Sequence, residues 1–292
     1  MLSRPLGSTG LNVSVLGYGA MQIGAPNIDE GHAARMLHHV LDRGITLIDT
    51  ARAYGLAEER IGRHLGDRRS EYLLSTKVGY GVDGVPDWTG ETVVRGVEAA
   101  CQRMRTECID IVHLHSCDRP TLEADDVLEA LFQCRTAGKL RCVAYSGEND
   151  ALDYALATDL LDVIQVSINL CDQTNLARLE RFPQRRFGVL AKRPFAERVW
   201  TRDTMPTDPP AAEYWRRFRT MFGTSSSDVW QERALRFAAF APGVDCCIVG
   251  TTNPDHLDAN LAGVARGPLA DEEASALRTV FVRHADEWHG VI

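Results

Sequence analysis

Four side chains in the first 115 residues are of types that together move a proton to and from oxygen: Asp49, Tyr54, Lys77 and His115. Three of them close short apolar runs. LID ends at Asp49, LLSTK at Lys77 and IVHLH at His115, while Tyr54 stands five residues beyond Asp49. A tyrosine has an ordinary pKa of about 10, too high to shuttle protons readily at neutral pH. A neighbouring ammonium stabilises the phenolate. A carboxylate paired with that ammonium keeps it charged and oriented, and an imidazole at the same point can hydrogen-bond a carbonyl oxygen. Together they make a general acid beside a polarised carbonyl. Alone, Asp49 would read as a turn cap; the company of Tyr54, Lys77 and His115 gives it the second role. Lysine usage points the same way. The chain has Lys77, Lys139 and Lys192, and arginine supplies its other basic residues. Two of these lysines stand at the ends of apolar runs, where a compact, tunable ammonium has a use that arginine cannot fill.

For these groups to converge, the chain must bring the ends of several runs to one place. Apolar runs lie at 13–17, 45–49, 72–77, 109–114, 142–146, 162–167, 187–191 and 245–249. They are continuous rather than alternating, as in parallel strands buried on both faces. Helical stripes separate them. Ala33, Met36, Leu37, Val40 and Leu41 form one, stopped by Gly44, and Val93, Val97, Ala100 and Met104 form another. Asp228 is placed to cap a helix carrying Trp230, Ala234 and Phe237. Eight strand–helix units predict an α/β chain folded as one domain over 1–292, a (β/α)8 TIM barrel with its site at the carboxyl ends of the strands. An open doubly wound sheet is the alternative. Two segments break the rhythm. LGSTG at 6–10 predicts the turn of a short N-terminal β-hairpin that plugs the lower end of the barrel. Residues 196–227, with Pro206, Pro209, Pro210 and Ser225, Ser226 and Ser227, predict a long functional loop after strand seven.

In that frame Ser146 ends strand five, Gln165 lies in strand six and Lys192 follows strand seven. His113, two residues before His115, reads as a core histidine one layer lower. Trp200, Tyr214 and Trp215 read as loop packing, and Trp88, after strand three, as a candidate wall of a substrate pocket.

Bulk properties narrow the function. The chain has 292 residues, 45% of them apolar, a net charge of −8 and a pI near 5.6. That balance excludes a general nucleic-acid binder, which needs a basic face. No stretch has the length and apolarity of a membrane span. The opening residues lack the basic-then-apolar run of a signal peptide. The eight cysteines include no C-x-x-C pair. The expectation is a cytoplasmic protein with reduced thiols and no metal centre, a monomer or weak homo-oligomer handling a small molecule.

Set side by side, several segments resemble the aldo-keto reductase family nearly end to end. They are RPLGSTGLNVSVLGYGAM, GITLIDTARAYG, LLSTKVG, IDIVHLHSCD, VIQVSINL, VLAKRPF and IVGTTNPDHLDANL. The resemblance implies reversible hydride transfer between a nicotinamide cofactor and an aldehyde, ketone or sugar hemiacetal. Carried over, Tyr54 is the proton donor, Lys77 and Asp49 tune it, and His115 orients the substrate oxygen. Ser146 and Gln165 hold the nicotinamide carboxamide, Gly19 and Met21 line the cofactor's path, and Asn260 matches an adenine contact. Gly250, Thr251 and Thr252 open onto a helix start, a favourable place for phosphate. Three segments depart from the family pattern. Gly147 follows Ser146 where many members have asparagine, with Asn149 two places on. Lys192 or Arg193 stands where a stacking aromatic is common. Asn253 and His256 replace the lysine and arginine that grip the 2′-phosphate of NADP. NADP(H) is the family default, with NAD(H) as the alternative and Lys192, Arg193 and the loop after strand seven as further sources of charge. The competing readings are an NAD-preferring sugar dehydrogenase of the same family, a Schiff-base lyase using Lys77 or Lys192, and a cofactor-sensing interaction subunit.

Overall fold

The computed structural model describes residues 1–182, 186–224 and 229–292. Two short strands, β1 (Ser3–Pro5) and β2 (Asn12–Ser14), pair antiparallel. Eight more follow: β3 (Leu16–Gly19), β4 (Leu47–Asp49), β5 (Leu73–Val78), β6 (Ile109–His115), β7 (Leu140–Ser146), β8 (Val163–Ser167), β9 (Gly188–Lys192) and β10 (Cys246–Val249). These eight are parallel, and β10 pairs with both β9 and β3, which closes the barrel. The (β/α)8 expectation holds and the open sheet does not. Each stave is buried on both sides, by its neighbours' side chains inside and by the surrounding helices outside. That is why its sequence runs apolar without a break.

The first stave is shifted from its expected place. The apolar run at 13–17 splits, with Val13 in the hairpin and Leu16 opening the barrel. The hairpin does plug the lower end. Leu6, Leu11 and Val13 pack against Leu47, Ile111, Cys142, Val163, Leu190 and Cys246 in one buried cluster. Gly7 lies at φ +51°, and a Cβ there would meet the backbone of Gly188 at 2.4 Å, so the turn admits little beyond glycine.

The expected long loop after β9 is largely ordered. A 3₁₀ segment, Ala196–Thr201, leads to a helix over Pro209–Phe222. Asp208 caps that helix and Pro209 and Pro210 open it, so these prolines mark a helix start rather than a loop. Trp200 and Tyr214 are buried, and Trp215 donates through Nε1 to the carbonyl of Arg202 at 3.0 Å, in keeping with packing roles. Ser225, Ser226, Ser227 and the proposed cap Asp228 lie outside the described residues. No helix among the described residues is long and apolar enough to cross a membrane.

The plug generates a stability prediction. Leu6 is fully buried. Leu6→Ala should lower unfolding free energy by about 2–5 kcal/mol in urea titration, and a loss under about 1 kcal/mol would show that the hairpin is dispensable to the core.

Candidate active site

Strand register decides which side chains meet. Side chains alternate along a stave, so every second residue points inward. On the inner face most staves change from apolar to polar toward their carboxyl ends, while β10 keeps Cys246 and Ile248 there. Leu47 is followed by Asp49, Leu73 by Ser75 and Lys77, Ile111 by His113 and His115, Val163 by Gln165, and Leu190 by Lys192. The ladders place Asp49 opposite Ser75, Lys77 opposite His113, His115 opposite Ser146, and Ser146 opposite Gln165. A polar layer therefore sits on the apolar plug, under a cleft of about 680 Å³ at the strands' carboxyl ends.

Asp49 and Lys77 form the centre of this layer, 4% and 2% exposed. Lys77 Nζ donates to Asp49 Oδ2 at 2.6 Å and to the Thr50 carbonyl at 2.8 Å. Asp49 Oδ1 accepts from Ser75 Oγ at 2.8 Å and from Gln165 Nε2 at 3.0 Å. Burial by itself would neutralise both groups, but each holds the other charged. Against that desolvation, Lys77 keeps the Asp49 pKa below its ordinary value, and Asp49 and Tyr54 keep the Lys77 pKa above its own. His113 lies in the core as expected. Its Nε2 is 3.1 Å from Ser75 Oγ, which makes it the outer support of the Asp49 carboxylate.

Tyr54 comes from the turn between β4 and the helix Ala57–Leu65. Its amide donates to the Ala51 carbonyl at 3.0 Å. Its backbone lies so close under Gly24 that a Cβ there would meet the Tyr54 carbonyl oxygen at 1.8 Å. The phenol ring is thereby set with Lys77 Nζ 5.1 Å from its centroid and His115 edge-on at 6.0 Å. Burial, reinforced by the charges of Lys77 and Lys192, pushes the His115 pKa down to about 3, so this imidazole is neutral at ordinary pH.

The rest of the rim is linked by hydrogen bonds. Lys192 Nζ reaches Ser146 Oγ at 3.3 Å, and Ser146 Oγ donates to Gln165 Oε1 at 3.1 Å. Glu148 lies 3.4 Å from Lys192 and accepts from Ser167 N and Asn175 Nδ2. Burial pushes the Lys192 pKa down despite that carboxylate.

Of the residues singled out in the sequence, Gly19, Met21, Asp49, Tyr54, Lys77, His115, Ser146, Gln165, Lys192, Arg193 and Gly250 line this one cleft. Six do not. Trp88 packs on Gly79 and Tyr80. Thr251 and Thr252 offer their carbonyls to Tyr18 and His32. Asn253 caps the helix Pro254–Ala265, in which His256 is exposed and Asn260 buried. Arg193 lines the cleft but donates to the Val291 carbonyl at 2.7 Å. Asn149 turns to the C-terminal tail and exchanges two hydrogen bonds with Gly290.

Sequence reasoning missed Ser75, Tyr80, Glu148, Phe195, Arg198 and Arg202. Ser75 was within reach, since it lies two before Lys77 on the same face. Tyr80 contacts His115 across staves, which no local spacing announces. Phe195, Arg198 and Arg202 line the cleft from the segment after β9, and Phe195 is its aromatic. A second cavity of about 530 Å³ lies among outer helices, lined by Phe237, Phe240, Leu269 and Val282, and holds none of these groups. Among the described residues no cluster of His, Cys, Asp and Glu is placed to bind a metal.

The donor set suits a nicotinamide. Gln165 presents both an amide N–H and an amide oxygen, as a carboxamide partner must, with Ser146 beside it. Gly250 makes a close approach to the chain, since a Cβ there would strike Gln22 at 2.2 Å. The cleft volume is in the range of cofactor sites.

The model of the Aldo/keto reductase family matches residues 15–281. L-galactose dehydrogenase of Arabidopsis thaliana is 25% identical over 279 residues, 89% of this chain and 87% of that protein. An aldo-keto reductase from Bacillus halodurans, solved in its holo form, is 25% identical with a TM-score of 0.81, covering 96% of both chains. The glycerol dehydrogenase of Gluconobacter oxydans is also 25% identical, with a TM-score of 0.76 over 98% of this chain and 97% of that one.

The ion pair makes a prediction with a pH window. A depressed Asp49 pKa stabilises the fold above the unfolded value of about 3.9, and that part is lost as pH falls through the folded pKa. A raised Lys77 pKa stabilises below about 10.4, and that part is lost as pH rises through its folded value. Within that window, at pH 7, Asp49→Asn should cost about 3–5 kcal/mol by leaving a buried ammonium unpaired. Adding Lys77→Met should recover part of the loss in urea titration. Strictly additive losses would deny the coupling.

Proposed function

This chain belongs to the aldo/keto reductase family of oxidoreductases, and we propose that it interconverts a small polyhydroxylated carbonyl compound, an aldehyde, ketone or sugar hemiacetal, with its alcohol, using NADP(H), with NAD(H) as the weaker partner. The observation that carries the reading is the buried Asp49–Lys77 pair set against the Tyr54 ring, with His115 completing the same wall of the cleft. The polar and charged side chains that line the cleft beside its apolar ones, and likeness to an L-galactose dehydrogenase and a glycerol dehydrogenase, support a hydroxylated substrate.

A bound nicotinamide supplies or accepts the hydride. Tyr54 Oη gives its proton to the substrate oxygen in reduction and takes it back in oxidation. Negative charge then left on the phenol oxygen lies beside the Lys77 ammonium, which Asp49 keeps charged and fixed. His115, neutral, holds the substrate oxygen by a hydrogen bond. Ser146 and Gln165 would hold the nicotinamide carboxamide. Gly19, Met21 and Gly250 form the path of the cofactor. Lys192, Arg198 and Arg202 provide the positive charge for its phosphates, in place of the basic pair that Asn253 and His256 do not supply. No ion pair ties Arg198 or Arg202 to an acid among the described residues, although Glu197 and Asp208 share the rim. A Schiff-base lyase loses Lys77, whose ammonium is held by Asp49. Borohydride trapping of substrate carbon on Lys192 is the finding that would revive it.

Two predictions test the reading. Tyr54→Phe should leave the dissociation constants of NADPH and NADH within about twofold by fluorescence titration, while kcat falls by roughly 10²–10⁴. Turnover close to wild type with a panel of sugars and polyols would remove Tyr54 from the reaction. Arg198→Ala/Arg202→Ala should weaken both cofactors by roughly tenfold or more and leave their ratio nearly unchanged, because both carry the diphosphate. A loss confined to NADPH would instead put the 2′-phosphate on this segment.

A further inference from the structure

We propose that Tyr80 is a positioning residue for His115: its hydroxyl donates to Nδ1 of the imidazole and so fixes the tautomer that carries its proton on Nε2, the nitrogen left to donate to the substrate oxygen. The inference rests on the function proposed above, and it adds a residue that neither the sequence motifs nor the comparisons mark.

Tyr80 Oη lies 2.9 Å from His115 Nδ1. The two rings stack, with centroids 5.4 Å apart and planes 23° apart. Tyr80 is itself held. The Trp88 ring lies 5.6 Å from it on the far side, and Trp88 N donates to the Gly79 carbonyl at 2.7 Å. Trp88 covers Gly79 so closely that a Cβ on Gly79 would meet the indole at 2.2 Å, and Gly79 lies at φ +128°. Beyond Tyr80, the Gly81 amide donates to Asp87 Oδ1 at 2.8 Å and Arg52 Nε to the Gly81 carbonyl at 2.6 Å. The hydroxyl is thus delivered to Nδ1 by a built loop, not by a free side chain.

A neutral imidazole has one N–H and one lone pair, and the partner of one nitrogen decides the role of the other. Burial together with Lys77 and Lys192 keeps His115 neutral, and burial keeps Tyr80 a phenol. Between a neutral phenol and a neutral imidazole, the phenol is the better donor and the ring nitrogen the better acceptor. His115 is also the one hydrogen-bond partner of the Tyr80 hydroxyl among the described residues. The opposite arrangement would present a lone pair at Nε2 and repel a carbonyl oxygen.

The test reads the tautomer directly, in the full chain without substrate. Long-range proton–nitrogen NMR of ¹⁵N-labelled protein, with the His115 signals identified by their loss in His115→Asn, should show the proton on Nε2. Tyr80→Phe, which keeps the stacked ring, should give a mixture of tautomers and lower kcat by roughly tenfold, with cofactor dissociation constants within twofold. A wild-type proton on Nδ1 overturns the proposal, and this needs no variant to fold. An unchanged tautomer and kcat in Tyr80→Phe overturn it as well. Tyr54→Phe measured alongside separates the two readings: if that variant keeps turnover, the proposed function fails whatever the tautomer, and if it is inactive while Tyr80→Phe is normal, only the role of Tyr80 fails.

Discussion

The site depends on one buried ion pair. Taking an ammonium and a carboxylate out of water costs several kcal/mol per ion even after relaxation, and their attraction offsets this only when the remaining hydrogen-bonding capacity is filled. Here it is. Two of the three Lys77 donors go to Asp49 and the Thr50 carbonyl, and both Asp49 oxygens are engaged, one by Lys77 and the other by Ser75 and Gln165. Such a pair is weak evidence for stability, since an apolar replacement of the same volume commonly serves as well. What it secures is a fixed positive charge beside the Tyr54 ring, and the partners drawn from β4, β5 and β8 lock that charge in place.

A barrel is suited to this because its staves can change character along their length without changing fold. The inner face is oily where the hairpin seals it, around Leu6, Leu11 and Val13, and polar two residues further up most staves. The apolar layer keeps water from the underside of the ion pair, and the low polarity strengthens each contact above it. The segment after β9 shows a different cost. Arg193, Ala196, Glu197 and Arg198 all sit at φ between +44° and +56°, a region in which non-glycine residues are strained by about 1–3 kcal/mol each. The packing of Trp200 against Phe218 and the Trp215 bond to the Arg202 carbonyl hold the segment there. The result places Arg198 and Arg202 on the cleft.

The sequence carried the barrel and the placement of Asp49, Lys77, His115, Ser146 and Gln165, because both follow from period-two alternation and the ends of apolar runs. Stave limits were less legible. Val13 and Leu16 belong to one apolar run, and only the turn between them assigns one to the plug and the other to the barrel. The helix Pro209–Phe222 was hidden because proline reads as a loop signal unless the aspartate before it is seen as a cap. Tyr80 and Glu148 were out of reach for another reason. Their partners, His115 and Lys192, come from other staves, and contact between them depends on side-chain reach that spacing does not encode. Asn253, expected from its position as a cofactor contact, has its side chain engaged as the cap of the helix that it opens.

The charge distribution explains how two potential acids divide their work. The chain carries a net charge of −8, yet its cleft gathers Lys77, Lys192, Arg193, Arg198 and Arg202 on one wall and rim, with Asp49, Glu197 and Asp208 as the acids among its lining. On the proposed function, this is the local basic pocket for an anionic dinucleotide in an acidic protein. The same field has a second effect. Burial disfavours an imidazolium at His115, and Lys77 and Lys192 add like-charge repulsion, so the ring stays neutral far below ordinary pH. A histidine held neutral cannot be the proton source; it can only donate a hydrogen bond and keep its proton. On the proposed function, Lys77 stands ready for negative charge on the Tyr54 oxygen and, with Lys192, keeps His115 neutral, so the proton falls to Tyr54 and the hydrogen bond to His115.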